Sequence, residues 1–179
     1  MEYIIQAIGL VGAVFAFIAF QCKRHFRILI VKTCSVLCFA LQFALMRAYT
    51  GAAMNVFEIV VLLTCAVLVA KNIKTLPFVV AASVACVVIG AFSWVGYASI
   101  LAIAGELIVT IADGIRDPKR LRIVFFFGSL CWLIYDVFYF SLGGIITEVF
   151  TLISIIIATV AAIRREREQK QQPPDAPET

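Results

Sequence analysis

The sequence predicts an all-α polytopic membrane protein of seven transmembrane helices, arranged as two parallel three-helix repeats joined by a linker helix. Three observations predict it. The 179-residue chain is 63% hydrophobic and 15% charged, with a mean hydropathy of +1.04, against about 45–50% and about 25% in ordinary soluble domains. Its cations gather at alternate ends of the apolar runs, and the chain resembles itself at an offset of 93 residues. Seven spans of about 20 residues consume nearly the whole length. No extramembrane domain fits in the remainder, so soluble-enzyme readings are excluded.

The expected spans are Tyr3–Gln21, Ile28–Met46, Ala52–Ala70, Leu76–Trp94, Tyr97–Gly114, Leu121–Leu142 and Gly143–Ile163. The first has only Glu2 before it and its positive charges after it, so it reads as a retained helix rather than a cleavable signal. Thr50-Gly51 and Gly143-Gly144 read as turns, and Val95-Gly96 as the turn between spans four and five. Fourteen of the fifteen Lys and Arg then fall on one side, with Arg47 alone opposite. The positive-inside rule makes that side cytoplasmic, with the amino end outside and the carboxyl end inside. Residues 1–163 form one domain, with repeat one at 3–70, the linker helix at 76–94 and repeat two at 97–163. Residues 164–179, polar and containing Pro173-Pro174, read as a disordered cytoplasmic tail.

The repeat rests on more than shared apolarity. At the offset of 93, Gly12 meets Gly105, Arg27 meets Arg120, Gly51 meets Gly144, Phe57 meets Phe150 and Lys71 meets Arg164. Turn glycines and loop cations coincide together, which chance matching in apolar sequence does not produce. Because span four reverses the entry side, both units share one orientation. Parallel repeats about an axis along the membrane normal are a recurrent transporter plan.

An ionisable group at a span centre costs about 2.5–3.5 kcal/mol on insertion scales. Lys32, Arg47 and Asp113 lie near span ends, where snorkelling suffices. Glu58, Glu106, Asp136 and Glu148 lie deeper, and no intramembrane Lys or Arg is evident to neutralise them. Asn55 and Glu58 share a face of span three, matched by Glu148 and Thr151 on span seven. Cys38 and Gln42 share a face of span two, matched by Cys131 and Tyr135, with Asp136 adjacent. Facing one another, these surfaces line a central cavity; packed together, they are interhelical hydrogen-bonding glue. Trp132, near mid-depth, serves either to stack on a ring-shaped solute or to pack.

Cys34, Cys38, Cys65, Cys86 and Cys131 fall within apolar runs and Cys22 abuts a basic loop, with no CxxC and a single histidine, His25. They read as small hydrophobes, and neither metal nor cofactor is expected. No HExxH, GxSxG or P-loop occurs, so the chain is not expected to be an enzyme. The net charge of +4 records orientation and needs no nucleic-acid partner. The expected partners are the lipid bilayer and a small-molecule solute, and the sequence admits a homo-oligomer.

The stretch Cys131-Trp132-Leu133-Ile134-Tyr135-Asp136, then Ser141-Leu142-Gly143-Gly144 and Glu148, resembles the signature of the YgjV-like bacterial inner-membrane family, with a similar Tyr49-Thr50-Gly51-Ala52 in the first repeat. That likeness spans most of residues 5–163 and implies an inner-membrane location. More distantly, the plan is similar to SWEET sugar transporters and their PQ-loop relatives, whose second-helix aromatic and third-helix Asn face the solute. The resemblance maps these onto Phe39 with Asn55 and Trp132 with Glu148. The hinge proline and PQ dipeptide of those carriers are absent here. The function expected is a SWEET-like carrier of a small polar or cationic metabolite. Its contacts would be Asn55, Trp132, Glu148 and Glu106, with Gln42, Tyr135, Asp136, Phe39 and Glu58 nearby. The alternative is a non-transporting receptor or partner-binding subunit.

Overall fold

A computed structural model describes residues 2–21, 25–115 and 117–171. Cys22, Lys23, Arg24 and Arg116 of the expected cytoplasmic loops, and residues 172–179 of the expected tail, lie outside them. The described residues form seven helices: α1 (Glu2–Gln21), α2 (His25–Leu45), α3 (Tyr49–Ala70), α4 (Leu76–Phe92), α5 (Ser99–Asp113), α6 (Pro118–Tyr139) and α7 (Leu142–Gln171). α1, α3, α6 and α7 are each long and apolar enough to cross a membrane. α2 carries a shorter apolar stretch, Ile30–Leu45, and α4 spans 17 residues. The 15 residues of α5 rise only about 22 Å, less than the roughly 30 Å of a bilayer core.

The distribution of side chains is inside out relative to a soluble protein. Fully buried positions include Gln42, Thr50, Glu106, Thr110 and Ser141, whereas Val, Ile, Leu and Phe residues cover the outside. With lipid as solvent, the apolar exterior costs nothing and the polar groups must find partners within the bundle.

Packing partners trace a closed circuit. α1 packs on α2, α2 on α3, α3 on α5, α5 on α6, α6 on α7, and α7 back on α1. α4 stands outside this ring, against α3 and α5, with Val61, Cys65 and Ala82 forming its contact with α3. Proline begins both α4 and α6, and Asp117 caps α6 by accepting from the Lys119 and Arg120 N–H groups. Pro77 and Pro118 are therefore start signals rather than hinges.

The two tight turns of the ring are the same turn. Arg47 ends α2 with φ 59° and Phe140 ends α6 with φ 54°, both left-handed. In the first, Ala48 N–H donates to Phe43 O (2.9 Å) and Arg47 N–H to Ala44 O (3.1 Å). In the second, Ser141 N–H donates to Asp136 O (2.9 Å) and Phe140 N–H to Val137 O (3.2 Å). Both are Schellman closures, and every corresponding atom pair is separated by 93 residues. This corrects the expectation that Thr50-Gly51 and Gly143-Gly144 form the turns: those residues lie in the first turns of α3 and α7. A left-handed arginine and a left-handed phenylalanine reverse the chain instead, which releases the glycines for close packing.

The expected tail also begins as helix. α7 continues past Ile163 to Gln171, because Arg, Glu, Gln and Lys are good helix formers.

Candidate functional site

Three helices of the ring carry stripes of 3.5-residue period that meet at its centre. On α6 the stripe is Arg122, Phe125, Ser129, Trp132 and Asp136; on α2 it is Lys32, Val36, Phe39 and Phe43; on α7 it runs from Gly144 through Glu148 and Thr151 to Ala158. Together with Ala16, Asn55, Glu58, Val109 and others they line a cavity of about 460 Å³, within the range of small-molecule sites. All six ring helices contribute and α4 contributes nothing.

The lining repeats. Ala16 and Val109, Lys32 and Phe125, Val36 and Ser129, Phe39 and Trp132, Phe43 and Asp136, Asn55 and Glu148, and Glu58 and Thr151 are seven pairs, each 93 residues apart, with both members on the wall. Positions 93 residues apart thus face one space with different chemistry: α2 and α3 contribute Lys32, Asn55 and Glu58, and α6 and α7 contribute Arg122, Asp136 and Glu148.

Of the expected site residues, Phe39, Asn55, Glu58, Trp132, Asp136 and Glu148 line the cavity. Gln42, Tyr135 and Glu106 do not: each is fully buried in packing. Gln42 Nε2 donates to Gln6 Oε1 (3.3 Å) and its Oε1 accepts from Ser141 Oγ (3.1 Å). Tyr135 OH accepts from the Gly51 N–H (2.9 Å). Glu106 Oε1 lies 3.5 Å from the Thr110 hydroxyl, and its Oε2 has no partner. The face shared by Gln42 and Cys38 therefore divides: Phe39 and Phe43 meet the cavity and Gln42 meets α1. Helical spacing alone does not distinguish these neighbouring directions.

The expectation that Lys32 snorkels, and that no cation is available within the bundle, is overturned. Lys32 Nζ lies 3.1 Å from Glu58 Oε1 and acts electrostatically on Asp113, Glu106 and Glu148 as well. Its four-carbon stem reaches inward because the ring interior offers a carboxylate. Arg122, which the sequence places only among the cytoplasmic loop cations, reaches the wall and donates to Ala158 O (3.2 Å). The 3.5-residue stripe through Arg122, Ser129 and Asp136 was the available signal for it. Four buried carboxylate oxygens nevertheless lack a donor, on Glu106, Asp113, Asp136 and Glu148.

The cavity is asymmetric along its axis. Its wall reaches Ala19, Lys32, Arg122 and Ala158 toward the basic helix ends. At the other end a hydrogen-bonded plug fills the ring. Gln6 donates to Phe140 O (2.8 Å) and accepts from the Leu142 N–H (3.1 Å) and from Gln42. Thr50 bonds Ser93 O and Ser99 Oγ, tying α3 to the α4–α5 connection. The plug is also tight: a Cβ on Gly143 would collide with the Gly9 backbone, one on Gly51 with the Tyr135 ring, and one on Gly144 with the Asp136 carboxyl.

Comparison with known proteins places the chain. No curated protein and no solved structure matches it. A family model described as bacterial inner membrane protein matches residues 3–166, nearly the whole chain. With its apolar exterior, its long spans and that match, the chain belongs to the Imp-YgjV family of bacterial inner membrane proteins.

Proposed function

We propose that this inner-membrane protein is a carrier of a small polar or cationic metabolite, working by alternating access between two parallel three-helix units, α1–α3 and α5–α7, with α4 as linker. The observation that carries this reading is the central cavity walled by seven repeat-related pairs. A solute site on the axis between two equivalent units is what rocking of one unit against the other requires. The identical turns after α2 and α6 and the symmetric order of packing around the ring support the same parse. The positive-inside rule orients the basic ends to the cytoplasm. The wall near those ends then faces inward, and the Gln6–Gln42–Ser141 plug is the closed outer gate.

The test is cysteine labelling in a cysteine-free background carrying Asn55→Cys or Glu148→Cys. Impermeant maleimide is added to right-side-out and inside-out vesicles. The expected result is strong labelling from the cytoplasmic side and weaker labelling from the outside, with the outside fraction raised by Gln42→Ala. Labelling from one side only, whatever the gate variant, would instead favour a receptor or partner-binding role.

A further inference from the structure

We infer that Asp136 and Glu148 form the subsite for the charged nitrogen of an organic amine, with the apolar part of the ligand lying against Phe43 and Trp132. The inference rests on the reading of the cavity as a solute site and names the class of solute. Asp136 is only 3% exposed, yet it lines the cavity and its Oδ1 has no donor. Glu148 lines the same wall and its Oε2 is likewise unpartnered.

Their separation follows from α7 geometry. The Asp136 carboxyl rests where a Cβ on Gly144 would stand, and Gly144 is four residues before Glu148 on the same helix face. The Asp136 carboxyl is therefore about one helical turn, roughly 5–6 Å, from the Glu148 Cβ, and Glu148 acts electrostatically on Asp136. Ionised carboxylates only accept hydrogen bonds, and beyond the Ser141 and Ser129 hydroxyls one oxygen of each still lacks a donor, so a ligand that brings both donors and positive charge satisfies the pair in its ionised form. An ammonium has three N–H groups and bridges such a pair.

The protein's own cations make their direct contacts elsewhere on the wall, Lys32 with Glu58 and Arg122 with Ala158 O, and Lys32 reaches Glu148 only through its field. Among the described residues no cluster of His, Cys, Asp and Glu suits a metal ion. The flanking surface is aromatic instead: Phe43 and Trp132, with ring centroids 6.2 Å apart, line the same wall, and aromatic rings attract an organic cation. A neutral polyol leaves the charge uncompensated.

The test uses the intact protein in nanodiscs with Trp94→Phe, so that Trp132 alone reports. Trp94 lies in the α4–α5 connection, away from the cavity. n-Butylammonium is titrated against n-butanol and n-butyrate. The expected result is a saturable change in fluorescence with the amine alone, weakened at least tenfold by Asp136→Asn and by Glu148→Gln. Equal response to butanol, or amine affinity unchanged in both variants, overturns the subsite. The three-ligand comparison stands even where a variant does not fold. Two-sided labelling of Asn55→Cys without amine binding overturns the subsite and leaves the carrier reading intact. Amine binding with one-sided labelling overturns the carrier and leaves a receptor for amines.

Discussion

Lys32 shows how the ring interior sets the role of a residue, and Arg47 and Phe140 how the turns do. Lys32 stands near a span end in the sequence but lies 3.1 Å from Glu58 across the α2–α3 interface. The pair is half-buried, with side chains 30% and 15% exposed, so removing one member costs less than the about 3–5 kcal/mol of a fully buried pair. Lys32→Met is therefore expected to lower the SDS-unfolding midpoint in mixed micelles, and Lys32→Met/Glu58→Leu to recover part of the loss. A double variant as unstable as the sum of the singles would show that the pair is not coupled. Arg47 and Phe140 hold left-handed backbone that costs an L-residue about 1–2 kcal/mol. Arg47→Gly is expected to retain or slightly raise the same midpoint, and Arg47→Val to lower it by about 1 kcal/mol.

At the scale of elements, the glycines of the first turns of α3 and α7 decide how closely helices approach. Gly51 admits the Tyr135 ring and Gly144 the Asp136 carboxyl, so equivalent glycines in the two units receive consecutive residues of one helix. Gly144→Ala is expected to destabilise by about 1–3 kcal/mol through overpacking. Gly144→Ala/Asp136→Ala should recover most of it in the same unfolding assay. Gly143 differs, since its neighbour is the backbone of Gly9 rather than a side chain that can move. Gly143→Ala is expected to separate α1 from α7 with no single rescuing substitution. Loss of the Gln6 hydrogen bonds to Phe140 and Leu142 should then appear as faster amide exchange at the start of α7.

For the whole molecule, the features that matter are closure of the ring and the asymmetry of its cavity. The plug ties all the helix ends on one side together through Gln6, Gln42, Thr50, Ser93, Ser99, Tyr135 and Ser141, whereas the wall on the basic side runs out to Arg122 and Ala158. On the carrier reading proposed above, this plug is the outer gate, and its several weak hydrogen bonds, each about 0.6 kcal/mol in a bundle, part at modest cost. Gln6→Ala/Gln42→Ala is accordingly expected to move labelling of Glu148→Cys toward the outer side several-fold while leaving the protein folded. Unchanged sidedness would place the gate elsewhere.

Composition and hydropathy by themselves determined the all-α membrane class of this protein and its seven helices. Positions 93 residues apart also meet at the wall, as Asn55 and Glu148, and Phe39 and Trp132, do. Periodicity is a property of one helix, so it is legible in the chain. Direction around the helix within a polar face is not, and only the tertiary structure turned Gln42 and Tyr135 into the plug and left Asp136 on the cavity. The same holds for Lys32: its depth along the span reads as an edge position, and only the carboxylate that α3 brings across the ring makes it an interior charge. Both outcomes have one physical cause. In lipid, a polar side chain is satisfied by whichever neighbouring helix supplies a partner, and the sequence of one helix does not contain its neighbour.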